Sequence, residues 1–289
     1  MKRAVMVVVM LMLAGSVLAQ QPAPAPKPSG QPAPQAQNAA PPAPQGKRVP
    51  QAKTQAEYDA YKAATVNMTD GAALEKSADD FAAKFPDSDL RVLLYQAAMR
   101  AYQNSNNSDK MSAMAESVLK LDPDDPEALV AAGEVIVERT HDTDLDKDQR
   151  WDKAQQYAQH ALQTVDTDAA IPLGTSQERA DNYKNALRST AYSILGAIAF
   201  NREKYPDAEK YFHQSIDAYP SEPDPVVVLR LALSLDKQSR YGEALKEANK
   251  AVDMTQDGSV AGKLARQERD RLVQLTGGVP ATPSGNAPH

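Results

Sequence analysis

From Ser189 to Met254 apolar positions recur at helical spacing, and they do so twice. Tyr192, Leu195, Gly196 and Ala199 fall at i, i+3, i+4 and i+7, one face of a helix. Ala208, Tyr211, Phe212, Ser215, Ile216 and Tyr219 mark a second helix, with Pro206 suited to its first turn and Pro220 stopping it. Val228, Leu231 and Ala232, then Tyr241, Ala244, Ala248 and Ala251, repeat the pattern, and Ala208 and Ala244 stand 36 residues apart. Gly196 and Ala208 are small where two helix axes must approach; Tyr192 and Phe212 fill the space beside them. A period of this size predicts stacked helical hairpins, none of which buries its apolar face alone.

Weaker versions of the pattern run back toward the N-terminus. Tyr58 and Tyr61, then a helix start at Thr69-Asp70 followed by Leu74, Ala78, Phe81 and Ala82, predict a degenerate hairpin over 51–87. Residues 88–166 carry two more. The first shows Leu94, Tyr95, Ala98 and Tyr102, then Met111, Met114, Ala115, Val118 and Leu119, closing at Leu121-Asp122-Pro123. The second opens at Asp125-Pro126, shows Leu129, Ala132, Gly133 and Ile136, and resumes at Trp151 after an Asp-rich insertion over 140–150. Thr175-x-x-Glu178 reads as a capping box, so a helix spanning 167–188 in part should run on into the Tyr192 helix, ~40 Å in all at about 1.5 Å per residue. Residues 255–275 predict a terminal capping helix. Val260, Leu264, Leu272 and Leu275 would face inward, and Lys263, Arg266, Glu268, Arg269, Asp270 and Arg271 outward; residues 276–289 read as a loose tail.

The motif Tyr192-x2-Leu195-Gly196, Ala208-x3-Phe212 and Pro220 resembles the tetratricopeptide repeat family, which places an aromatic, Leu-Gly, Ala, an aromatic and Pro at this spacing. The chain departs from the pattern at Ala199, where the family has Tyr, and the copy after Val228 has Ala232 for Gly. The resemblance covers about Tyr58 to Met254. It implies an all-α, tetratricopeptide-like solenoid of helical hairpins that binds other proteins or peptides in a concave groove. Carried onto this chain, the groove positions are Gln96 and Arg100, then Val130, Glu134 and Glu138, then Ser193, Ala197 and Asn201, then Leu229 and Leu233. The family's carboxylate clamp uses Lys and Asn where Gln96 and Arg100 stand. Glu134 and Glu138 beside Leu229 and Leu233 would suit a peptide with basic and apolar side chains.

The N-terminus adds a different signal. Met1-Lys2-Arg3, an apolar run from Ala4 to Ala14 and Val17-Leu18-Ala19 form a secretory signal over 1–19, which predicts a periplasmic or secreted protein starting at Gln20. Residue 20 is Gln, so the lipoprotein pattern lacks its Cys. Residues 20–50 hold 10 of the 21 prolines and no aromatic or acid, a composition that predicts a disordered linker. There is no cysteine, so no disulfide is available in an exported setting.

The formal charge is −6, which argues against a nucleic-acid partner. No cofactor or small-molecule substrate is predicted. Asp142, Asp144, Asp146 and Asp148 alternate as in a calcium loop, but Lys147 stands where that loop needs Gly and Lys153 where it needs Glu. Ser117-x-x-Lys120 and Ser234-x-x-Lys237 match a nucleophile motif without its companion motifs. His141, His160, His213 and His289 have no metal-ligand spacing. Three readings follow: a non-enzymatic scaffold of the cell envelope, an accessory factor of an outer-membrane assembly or division machine (Phe85-Pro86-Asp87-Ser88 resembles repeats of that kind), and an enzyme whose groups do not converge in sequence.

Overall fold

The computed structural model describes residues 50–66, 69–172 and 174–277. Within them the chain forms α1 (Gln55–Ala64), α2 (Gly71–Lys84), α3 (Arg91–Asn104), α4 (Ser108–Leu121), α5 (Pro126–Arg139), α6 (Lys147–Thr164), α7 (Gln177–Asn201), α8 (Tyr205–Ala218), α9 (Pro225–Lys237), α10 (Tyr241–Asp253) and α11 (Val260–Thr276). The predicted signal segment and most of the proline-rich stretch lie outside the described residues.

Sequential helices pair as hairpins and the hairpins stack. The first helices also meet one another directly, α5 with α7, α7 with α9 and α9 with α11. No pair of second helices among the described residues meets as closely, so the first helices form the inner layer of the stack. The protein is a tetratricopeptide-like helical solenoid. Its apolar clusters continue from hairpin to hairpin, as expected of a fold without one central core.

Local signals explain where the helices begin and turn. Asp125 and Asp224 cap α5 and α9 through their side chains, each followed by Pro in the first turn. Three hairpins share one tight turn. Asn106, Glu203 and Ser239 are left-handed, with φ of 56°, 59° and 61°. The next amide in each case reaches the carbonyl five residues back: Asn107 to Tyr102 at 2.9 Å, Lys204 to Ala199 at 2.9 Å and Arg240 to Leu235 at 3.0 Å. This closes orphan carbonyls at the end of each first helix.

The α5–α6 hairpin lacks that turn. Its insertion is shorter than the sequence predicts, because Lys147 to Arg150 already belong to α6. Trp151 lies buried one turn into this helix. Lys147 Nζ lies 5.5 Å and the Arg202 guanidinium 5.8 Å from the centre of its ring. Arg202 also holds Asp152 at 2.7 Å, which ties α6 to the end of α7. The α7 cap is likewise one residue later than the predicted capping box: Ser176, not Thr175, accepts the amide of Arg179.

Candidate functional site

The inner layer contains every predicted groove position, and the fold treats them unequally. Gln96, Val130, Ala197 and Leu229 are buried. Arg100, Ser193 and Leu233 are half-buried, while Glu134, Glu138 and Asn201 are exposed. Val130 packs in the cluster shared by α5, α6 and α7, and Leu229 packs with Val228, Ala251 and Ala265. Of the predicted groove positions past α3, the accessible ones are therefore Glu134 and Glu138 on α5, Ser193 and Asn201 on α7, and Leu233 on α9.

Gln96 and Arg100 are engaged by the chain itself. The Gln96 amide donates to Asp125, which is 1 % exposed and also accepts the Ala128 amide at 2.7 Å. Arg100 grips Glu127 with two N–H groups, its Nε lying 2.7 Å from Oε1. The Tyr183 hydroxyl, on the first half of α7, donates to Glu127 Oε2 at 2.9 Å. Side chains of α3, α5 and α7 thus meet at Glu127. A charge-assisted pair of this geometry leaves Arg100 little capacity for a partner's carboxylate.

The first half of α7 creates this network. Residues before Ser189 extend α7 past the length of the other first helices, and Tyr183 and Leu187 pack against the core at α5 and α6. Lys184 and Arg188 on the same stretch reach Asp166 in the preceding loop. Burial, then the nearby Glu127 carboxylate, holds the Tyr183 hydroxyl well above its ordinary pKa. Burial and then the same Glu127 charge push the Asp125 carboxyl up to about 6. Sequence reasoning reads Asp125 as a helix start and misses Glu127 and Tyr183, because their meeting spans 56 residues.

The motifs weighed for chemistry are used structurally. Ser234 Oγ donates to the Arg230 carbonyl at 2.8 Å and Ser117 Oγ to the Ala113 carbonyl at 3.1 Å, each bonding back into its own helix. In the insertion Asp144 and Asp146 pair with Arg150, and Lys147 lies 3.9 Å from Asp142. His160 contacts Asp124 at 2.8 Å, and His213 is exposed on α8.

The terminal helix differs most from its prediction. α11 buries Ala265, Glu268, Leu272 and Val273. Val260, Leu264 and Leu275, assigned to the inward face by hydropathy, are 49 %, 51 % and 51 % exposed. Glu268, assigned outward, is buried and bonded to Arg271. α11 lies over α9 and α10, where Ala265 packs with Val228, Leu229 and Ala251 and Leu272 packs with Leu231, Leu235 and Ala248.

Among the described residues no helix is long and apolar enough to cross a membrane. No family model and no curated protein matches the sequence. Solved structures do match in shape. Pseudomonas aeruginosa PilF aligns with a TM-score of 0.52 and 16 % identity, covering 77 % of this chain and 87 % of PilF. Acl4, an assembly chaperone of RpL4, aligns with a TM-score of 0.42 and 11 % identity over 76 % of this chain and 98 % of that one. At 16 % identity the likeness to PilF is one of fold.

Proposed function

We propose that this protein is a non-catalytic interaction scaffold, exported to the cell envelope, that holds peptide segments of partner proteins along its concave layer. The observation that supports this reading best is the inner layer itself. It leaves Glu134, Glu138 and Asn201 exposed and Ser193 and Leu233 half-exposed along one surface. The ends of that surface differ: Glu127, Gln96 and Arg100 are committed to internal bonds near α3, whereas the α9 end retains apolar surface at Leu233. An extended or helical segment laid across first helices would take its specificity from such a gradient. The N-terminal signal motivates the envelope location.

The test is selection of binding peptides from a displayed random library against the purified full chain, followed by the double substitution Glu134→Lys with Leu233→Asp. Selected peptides should lose at least about ten-fold in affinity, or ~1.4 kcal/mol, while the helical circular dichroism stays unchanged. Unaltered binding by a folded double variant would move the interaction away from the concave layer.

A further inference from the structure

A cavity of about 600 Å³ opens at the α1 end of the stack, between the start of α3 and the end of α4. The buried Val92 and the half-buried Leu121 give it an apolar lining. Pro50 and the three residues after it form another part of the wall, so the chain passes along this cavity as it enters the fold. The entering stretch is fastened to α1, α2 and α3. Ala52 packs against the cluster of Phe81, Leu90 and Leu94. The Lys53 amide donates to Glu57 Oε2 at 2.7 Å, and Lys53 Nζ donates to the Asp87 carbonyl at 2.6 Å. The Ser88 hydroxyl donates to the other oxygen of the buried Glu57. None of these contacts involves α4, whose Leu121 faces the same cavity.

We infer that this cavity is the seat of the chain's own residues Lys47, Arg48 and Val49, with Val49 placed on Val92 and Leu121, so that the proline-rich arm leaves the body beside α4 and not at Pro50. Chain continuity carries the argument. Successive Cα atoms are ~3.8 Å apart, so covalent geometry alone keeps all three residues within ~12 Å of Pro50, which is itself in the wall. Any other occupant would have to displace a segment tethered at the cavity's edge, whose effective concentration there is high. The chemistry of the segment agrees. Prolines aside, Val49 is the one aliphatic side chain larger than alanine between Gln20 and Val49. It is the residue that gains most from an apolar lining. On the rim, Lys53 and Arg91 donate to backbone carbonyls, those of Asp87 and Ser88, while Asp89 is exposed beside them. A seated segment would shorten the free spacer and fix the direction in which it leaves the solenoid. This inference is independent of the groove reading above.

Lys47 and Arg48 are trypsin sites, so limited proteolysis of the full chain tests the seat directly. Mass spectrometry follows cleavage after each of them, with a synthetic peptide of residues 41–53 as the unprotected reference. Cleavage in the folded chain should be at least about ten-fold slower than in the peptide, because it reports the fraction of time the segment is unseated. Leu121→Ser should return most of that protection, since it removes the apolar lining without touching the contacts that hold Lys53 and Glu57. Leu121→Trp, which fills the cavity, should do the same, and serves if the serine variant loses its helical circular dichroism. Cleavage as fast as in the peptide would overturn the inference. So would protection that persists in a folded Leu121 variant, which would mean that the fastened entry at Lys53 shields the sites by itself. Protection that grows with protein concentration would assign the cavity to the arm of a second copy and overturn the inference as well.

Discussion

A β-carbon placed on Gly196 would lie 2.6 Å from both Cδ1 and Cε1 of Phe212. The ring of α8 therefore lies directly on the backbone of α7, and Phe212 is fully buried there. Gly196→Ala should cost ~1–3 kcal/mol, because the aromatic ring cannot yield by the required distance within a packed core. Ala208→Leu, at the neighbouring buried position, should cost about as much. Urea denaturation of both variants checks this; parent-like midpoints would show that the two helices have room to part.

The left-handed turns predict gains in stability. Glu203 and Ser239 pay a conformational cost that glycine does not, of order 1 kcal/mol. Glu203→Gly and Ser239→Gly should each raise stability by about 0.5–1 kcal/mol, or a few degrees in melting temperature. Asn106→Gly should gain less, since Asn tolerates this conformation. Calorimetric scanning that shows losses at Glu203 and Ser239 would contradict the shared-turn geometry.

Asp125 predicts a pH-dependent difference. Its folded pKa is raised to about 6 from an ordinary 3.8, so the folded state binds the proton more tightly than the unfolded chain. The contribution of Asp125 to stability is therefore greatest below pH ~4 and falls as pH rises through ~6, by on the order of 2–3 kcal/mol if the whole shift is expressed. Asn caps helices as well as Asp and does not titrate. Asp125→Asn should accordingly gain on the parent between pH 4 and 7 and run parallel above it. Urea titrations across that range give the comparison; two parallel profiles throughout would mean that Asp125 is not held in this way.

The insertion should not bind calcium with the affinity of a true calcium loop. Lys147 and Arg150 already neutralise Asp142, Asp144 and Asp146, and the positions for the turn glycine and the bidentate glutamate hold lysines. Titration calorimetry should show no site tighter than ~10 µM, the weak end of the sensor range.

The signal segment predicts a mature protein starting at Gln20. N-terminal sequencing of exported protein checks it, and a chain retaining Met1 would contradict cleavage at that point.

The helices and their pairing were legible in the sequence because a helix that buries one side must repeat its apolar residues at a helical period. Ala208 and Ala244, 36 residues apart, and the small Gly196 announce the hairpin crossings without any coordinates. Which of the predicted groove positions stay accessible was only partly legible. Gln96 and Arg100 are polar and occupy groove positions, so the family pattern offers them to a partner. Glu127 and Tyr183 claim that region instead, and the extended first half of α7 brings Tyr183 there from 56 residues away. On α11 hydropathy ranks Leu264 above Ala265, yet Ala265 is buried and Leu264 half exposed. Periodicity shows that a helix has an apolar face. Which part of that face is covered depends on how closely the neighbouring axes approach, and that distance is set by side chains far away in the chain.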